Sequence, residues 1–139
     1  MPTLTSRRTD NWETENHDLD GRFVAAMSAK DIDRAMSCFI DSPDLAVVLW
    51  GKEFRGRAQV RDAISTMFAA YDEITLTIDR VREFCLGDSV FAVGQATYTL
   101  KKAGEVNRLT EAWTDVRHKV NGQWVYVMDH AEALPQPME

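Results

Sequence analysis

Asp72 divides this chain into two kinds of sequence. Before it, apolar residues recur at helical spacing. After it, the helical period is gone, and four segments rich in β-branched and aromatic residues follow, near 74–86, 89–101, 107–120 and 123–133. They are separated by Gly87-Asp88, Ala103-Gly104 and Asn121-Gly122. An Asn-Gly pair between two alternating segments is a strong short-range hairpin signal, because both turn positions need positive φ. A run of long strands joined by tight turns must form an antiparallel meander, and long strands twist and curl.

The first half supplies what covers that sheet. Trp12, Leu19, Phe23 and Met27 mark one face of a helix ending near Ala29, and Asp10-x-x-Glu13 resembles a capping box at its start. Asp31 caps a second helix with Ile32, Ala35, Met36 and Phe39 at i, i+3, i+4 and i+7, stopped by Asp41-Ser-Pro-Asp44. Residues 45–55 read as a small hairpin around Gly51-Lys52. A third helix begins at Gly56 with the stripe Val60, Ile64, Met67, Phe68, Tyr71. The expected class is α+β: three N-terminal helices on one face of a strongly curved, mostly antiparallel sheet. The 139 residues suit one domain. It is expected over 15–134, after a tail and helix start at 1–14 and before a C-terminal tail at 135–139.

Composition narrows the function. A net charge of −6 lacks the basic face that nucleic acid requires. No apolar run reaches the roughly 18 residues of a membrane span. The polar start MPTLTSRRTDNWETEN has no apolar stretch after Arg7-Arg8, so no signal peptide is expected. Cys38 and Cys85 are isolated thiols, which suits a reducing cytoplasm. His17, His118 and His130 are too scattered to imply a metal site. No phosphate loop, His-Glu-x-x-His or serine elbow is present. Arg55, Arg57, Arg61 and Asp62 gather at the start of the third helix, where a solvated face is a simpler reading than an anion site.

Two-residue turns allow the sheet faces to be counted. From Asn121-Gly122, Val120 pairs with Gln123, Arg117 with Tyr126, Asp115 with Met128 and Trp113 with His130. From Ala103-Gly104, Tyr98 pairs with Leu109, Ala96 with Glu111, Gly94 with Trp113 and Ala92 with Asp115. The helix-side face then carries Ala92, Gly94, Ala96, Tyr98, Glu111, Trp113, Asp115, Arg117, Trp124, Tyr126, Met128 and His130. Asp129 falls on the other face, with Phe91, Val93, Val125 and Val127. That face is too apolar for water alone, and a second copy of the chain is its expected cover, making a homodimer. On the inner face, His130 beside Asp115 reads as an acid–base pair. Trp113, Trp50, Tyr98, Tyr126, Met128, Glu111 and Phe23 read as pocket lining, with plain core as the alternative for the aromatics. Glu111 and Arg117 read as a pair or as groups meeting solvent near the sheet ends.

The element order, with Arg22-Phe-Val-Ala-Ala-Met-Ser-Ala-Lys-Asp31, Phe54-Arg-Gly-Arg57 and Trp113-Thr-Asp-Val-Arg-His-Lys-Val-Asn-Gly-Gln-Trp124 running into Asp129-His130, resembles the nuclear transport factor 2-like superfamily, and within it the SnoaL-like domains. The resemblance spans roughly 15–134. It implies a cone with a pocket between sheet and helices, and a dimer through the outer sheet face. Ketosteroid isomerases share the superfamily, but Phe23 stands in place of their oxyanion tyrosine, and Leu49 or Trp50 in place of their base aspartate. Glu111 corresponds to their third acid. The expectation is a small apolar or aromatic ligand and, if there is turnover, a cofactor-free isomerase, cyclase or hydratase. A non-catalytic association or sensing module is the alternative.

Overall fold

In a computed structural model, which describes residues 11–135, three helices precede six strands. The helices are α1 (Trp12–Ala29), α2 (Ile32–Ser37) and α3 (Gly56–Ala70). The strands are β1 (Ala46–Leu49), β2 (Lys52–Arg55), β3 (Glu73–Leu86), β4 (Ser89–Lys102), β5 (Glu105–Val120) and β6 (Gln123–Ala133). They form one sheet in the order β2-β1-β6-β5-β4-β3. Every pairing is antiparallel except β1 with β6. This is the α+β cone. Asp10, half of the expected capping box, lies outside the described residues. Asn11 occupies the N-cap without a side-chain hydrogen bond. Asp31 does cap α2, accepting from the Arg34 amide at 3.1 Å. No helix among the described residues is long and apolar enough to cross a membrane.

The turns follow their chemistry. Asn121 and Gly122 have φ of 52° and 79°, as their short hairpin demands. The β4–β5 register matches the count from Ala103-Gly104 throughout: Gly94 opposes Trp113 and Ala96 opposes Glu111. Gly94 is dictated by packing. A Cβ there would lie 2.5 Å from Cζ2 of Trp113, so the indole lies flat over a gap that only glycine leaves.

The last hairpin departs from the count. Val120 pairs with Gln123 and Arg117 with Tyr126, but Val116 then pairs with Met128, leaving Val127 as an extra residue. This β-bulge inverts the faces beyond it. Asp115 opposes Asp129, not Met128, and Trp113 opposes Ala131, not His130. The bulge sits where the other edge of β6 changes partner. Tyr126 exchanges backbone bonds with Cys38 and Ile40 at 2.8 and 2.9 Å, whereas from Met128 onward β6 pairs with β1. A second bulge, at Asp79–Arg82 in β3, includes Arg80 at φ 56°. Together the bulges add local twist to an already long sheet.

The core lies between the inner sheet face and the helices. Leu19 and Met27 of α1, Met36 of α2, Val60 and Ile64 of α3 meet Leu76, Val90, Leu100, Trp124 and Tyr126 of the sheet. Each such side chain contributes roughly 1.5–3 kcal/mol when fully buried.

Candidate functional site

The core is not filled. A cavity of about 790 Å³ lies between the sheet and the helices. Its walls are mostly apolar, with Phe23 and Met27 from α1, Ile64 and Met67 from α3, and Leu76 and Leu100 from the sheet. The size and character are those of a small-molecule site. Polar groups collect on the sheet wall, where Tyr98, Glu111, Asp115, Tyr126 and Asp129 all face the cavity.

A buried cation organises one end of that wall. Arg117 is 0% exposed. Its Nε donates to Asp115 Oδ1 at 2.7 Å and its Nη2 to Asp115 Oδ2 at 3.3 Å. Nη2 also lies 3.0 Å from Asp20 Oδ1, and Nη1 3.4 Å from Glu83 Oε2. Tyr126 donates its hydroxyl to the same Asp20 oxygen at 2.5 Å, and His17 Nε2 meets Glu83 Oε1 at 2.8 Å. The guanidinium also stacks near the rings of Tyr126 and Trp113, at 5.3 and 5.9 Å from their centroids. Three carboxylates around one guanidinium leave it no capacity for an anionic ligand. Burial and Asp115 act on Arg117 in opposite directions, and the carboxylates prevail, so the guanidinium holds its proton more tightly than usual.

The remaining carboxyls respond to burial. Burial raises the Asp115 pKa to about 6, with Arg117 opposing the rise. Glu111 is pushed up to about 7 by burial, eased by a 3.2 Å hydrogen bond from Trp50 Nε1. Asp129 is raised well above the usual carboxylate range by burial, reinforced by the negative charges of Asp115 and Glu111. Among the described residues it has no hydrogen-bond partner. Asp115 and Asp129 are thus neighbours across β5 and β6 in different states: one held by a guanidinium, the other favouring its neutral acid. Such a pair is equipped to accept a proton at one site and donate one at the other.

The structure brings together Phe23, Trp50, Tyr98, Glu111, Trp113, Asp115 and Tyr126 on the cavity wall. It separates two expected residues from it. His130 points to the outer face, where its Nε2 lies 2.8 Å from Glu132 Oε1 and both side chains are about half exposed. Met128 is also on the outer face, 41% exposed. Both displacements follow from the extra residue Val127, and Asp129 takes the inward place assigned to His130. Glu111 pairs with Trp50 instead of Arg117. The arginines near α3 are structural. Arg57 donates to the Met36 and Phe39 carbonyls, and Arg61 pairs with Asp33. Asp20 and Asn16 escaped the sequence reading because isolated polar residues on an amphipathic helix look solvated. Both are buried.

A family model described as the SnoaL-like domain matches residues 21–127. The chain belongs to this family. The SnoaL-like fold is also visible in solved structures. A nuclear transport factor 2-like superfamily protein from Salmonella enterica superposes with a TM-score of 0.84 at 19% identity, covering 93% of this chain and 95% of that one. A proposed dehydratase of the same superfamily from Streptomyces avermitilis gives 0.80 at 16% identity, over 88% and 96%. A proposed calcium/calmodulin-dependent protein kinase II association domain from Xanthomonas campestris gives 0.79 at 19%, over 99% and 100%. At these identities the likeness concerns the fold alone. No curated protein matches the SnoaL-like chain in sequence.

Proposed function

We propose that this SnoaL-like domain binds a small, mainly apolar molecule in its cavity and moves protons on it with carboxyl groups, as an isomerase, cyclase or hydratase without a cofactor. The observation that carries this reading is the direct opposition of Asp115 and Asp129 on the sheet wall of a mostly apolar cavity. Asp129, whose burial and acidic neighbours favour its neutral form, donates a proton to a substrate oxygen. Asp115, ionised above about pH 6 and oriented by Arg117, accepts one from carbon or water. Tyr98, Trp113 and Phe23 are the wall against which the apolar body rests. The Streptomyces avermitilis relative, described as a proposed dehydratase, is consistent with proton chemistry of this kind.

The test is a panel of apolar ketones and β-hydroxy ketones incubated with the protein in deuterated water. Deuterium at the carbon next to the carbonyl, or loss of water, is the expected signal. Asp129→Asn and Asp115→Asn are expected to lower it by a factor of about 10²–10⁴. Turnover that survives both substitutions contradicts the assignment.

A second reading has its own support on the outer sheet face. Phe84, Val93 and Met128 are exposed there, and Phe84 stacks on Phe91 with centroids 5.2 Å apart. We propose a homodimer through this face, as the resemblance implied. The Xanthomonas campestris relative, described as an association domain, is consistent with a purely assembling role for the same surface. Ligand binding with no turnover across the panel favours that reading.

A further inference from the structure

We propose that the mouth of the cavity recognises the ammonium group of an apolar amine, held between the Glu111 carboxylate and the Trp50 indole. The inference rests on the cavity being a ligand site and adds the class of molecule it takes.

The mouth is marked by lining residues that also reach solvent: Trp50 and Lys52 on the β1–β2 hairpin, Asp62 and Thr66 on α3. Trp50 is unusual in two ways. It is 48% exposed, and it occupies a turn position at φ 51°, where a bulky side chain is rare. Its backbone amide is fixed to the Ala131 carbonyl at 2.9 Å, so the turn is anchored to the sheet edge and the indole reaches across to Glu111. A strained, half-exposed aromatic over a buried polar group is an arrangement found at ligand sites.

Glu111 is the second, independent observation. The residue is only 6% exposed, yet it lines the cavity. Trp50 Nε1 occupies its Oε2, and its Oε1 has no hydrogen-bond partner among the described residues. An ionised carboxylate accepts up to about four hydrogen bonds. Tyr98 and Asp129 face the same region, and the negative charge of Glu111 helps to hold the proton on each of them. The nearby cations do not neutralise it. Arg117 is sealed behind Asp115, Asp20 and Glu83, and Lys52 lies over the Phe54 ring at 5.2 Å on the exposed rim. The wall therefore holds negative potential that a neutral ligand leaves in place and an anion increases. An ammonium group discharges it, and the indole face adds a cation–π contact. The apolar amine body then runs inward along Tyr98 and Trp113 toward Asp129. The net charge of −6 attracts such ligands and repels their acidic counterparts.

The experiment compares three probes of one shape: 4-phenylbutylamine, 4-phenylbutan-1-ol and 4-phenylbutanoate. Binding to the full chain is measured by calorimetry at pH 8 and pH 6. The expected result at pH 8 is amine binding at least about tenfold tighter than alcohol binding, with the acid weakest. The amine advantage should shrink at pH 6, where Glu111 takes up its proton while the amine stays charged. Glu111→Gln keeps an oxygen for Trp50 and should bring amine affinity down to that of the alcohol. Trp50→Leu, which leaves the carboxylate intact, should weaken the amine more than the alcohol. Equal binding of amine and alcohol, or an amine advantage untouched by Glu111→Gln, overturns the inference while the cavity reading stands. Failure of all three probes to bind overturns both.

Discussion

At the scale of single residues, the account turns on a few side chains with no slack. Gly94 is one. Its missing Cβ is where the Trp113 indole lies, so Gly94→Ala should cost about 1–3 kcal/mol by overpacking, read as a lower urea midpoint. Arg117 is another. Removing the guanidinium leaves Asp115, Asp20 and Glu83 buried together without a cation. Arg117→Met should therefore destabilise by about 3–5 kcal/mol, the range for a broken buried pair. His130 is the contrast. As an exposed outer-face residue, His130→Ala should change stability by less than about 0.5 kcal/mol in thermal unfolding and leave ligand binding intact. A loss of ligand binding in His130→Ala would return the imidazole to the cavity. Much at this scale was legible in the sequence: the inward Trp113, Tyr98, Glu111 and Asp115 follow from turns and alternation. The partners of Arg117 were not. Asp20 arrives from α1, and no local pattern links it to a strand nearly a hundred positions away.

At the scale of elements, the helices, the hairpin and the β4–β5 register could be read because each is governed by local rules. The α3 stripe Val60–Ile64–Met67 has helical spacing, and tight turns impose their own pairing. The β6 bulge could not be read this way, since an alternation count assumes an unbroken ladder. A hint was present: Trp124 to Met128 is apolar without interruption, which a strand with one solvated face does not need. Its cause is tertiary, a change of neighbour from the Cys38–Ile40 segment to β1. Deleting Val127 tests this directly. The deletion leaves Asp129 opposite Asp115 in an unbroken β5–β6 ladder, and its cost falls on the other edge, where β6 must pass from the Cys38–Ile40 segment to β1 one residue short. A loss of more than about 3 kcal/mol in chemical denaturation is expected, against a small effect for deletion in an unbulged, slippable strand.

At the scale of the whole molecule, the fold holds carboxyls that resist ionisation, and stability should report it. The folded-state pKa values of Glu111 and Asp115 are raised to about 7 and about 6. The folded chain therefore binds more protons than the unfolded chain between their ordinary values and these. Their contribution to stability is full below about pH 4 and is lost as pH rises through 6 and 7. For Glu111 alone the loss is on the order of 3 kcal/mol. The protein should melt at higher temperature at pH 5 than at pH 8, and Glu111→Gln should flatten that slope. The proposed homodimer through Phe84, Val93 and Met128 belongs to this scale too. Light scattering should give twice the chain mass, and Val93→Asp should give the monomer. The central claim is that the bulge turns Asp129 into an apolar cavity beside Asp115. Its most direct test is a pH titration of the Asp129 side-chain carboxyl by carbon-13 NMR. The account predicts a midpoint well above the ordinary aspartate range, moving when the cavity is filled. A midpoint at the ordinary value of about 4, insensitive to ligand, would contradict it.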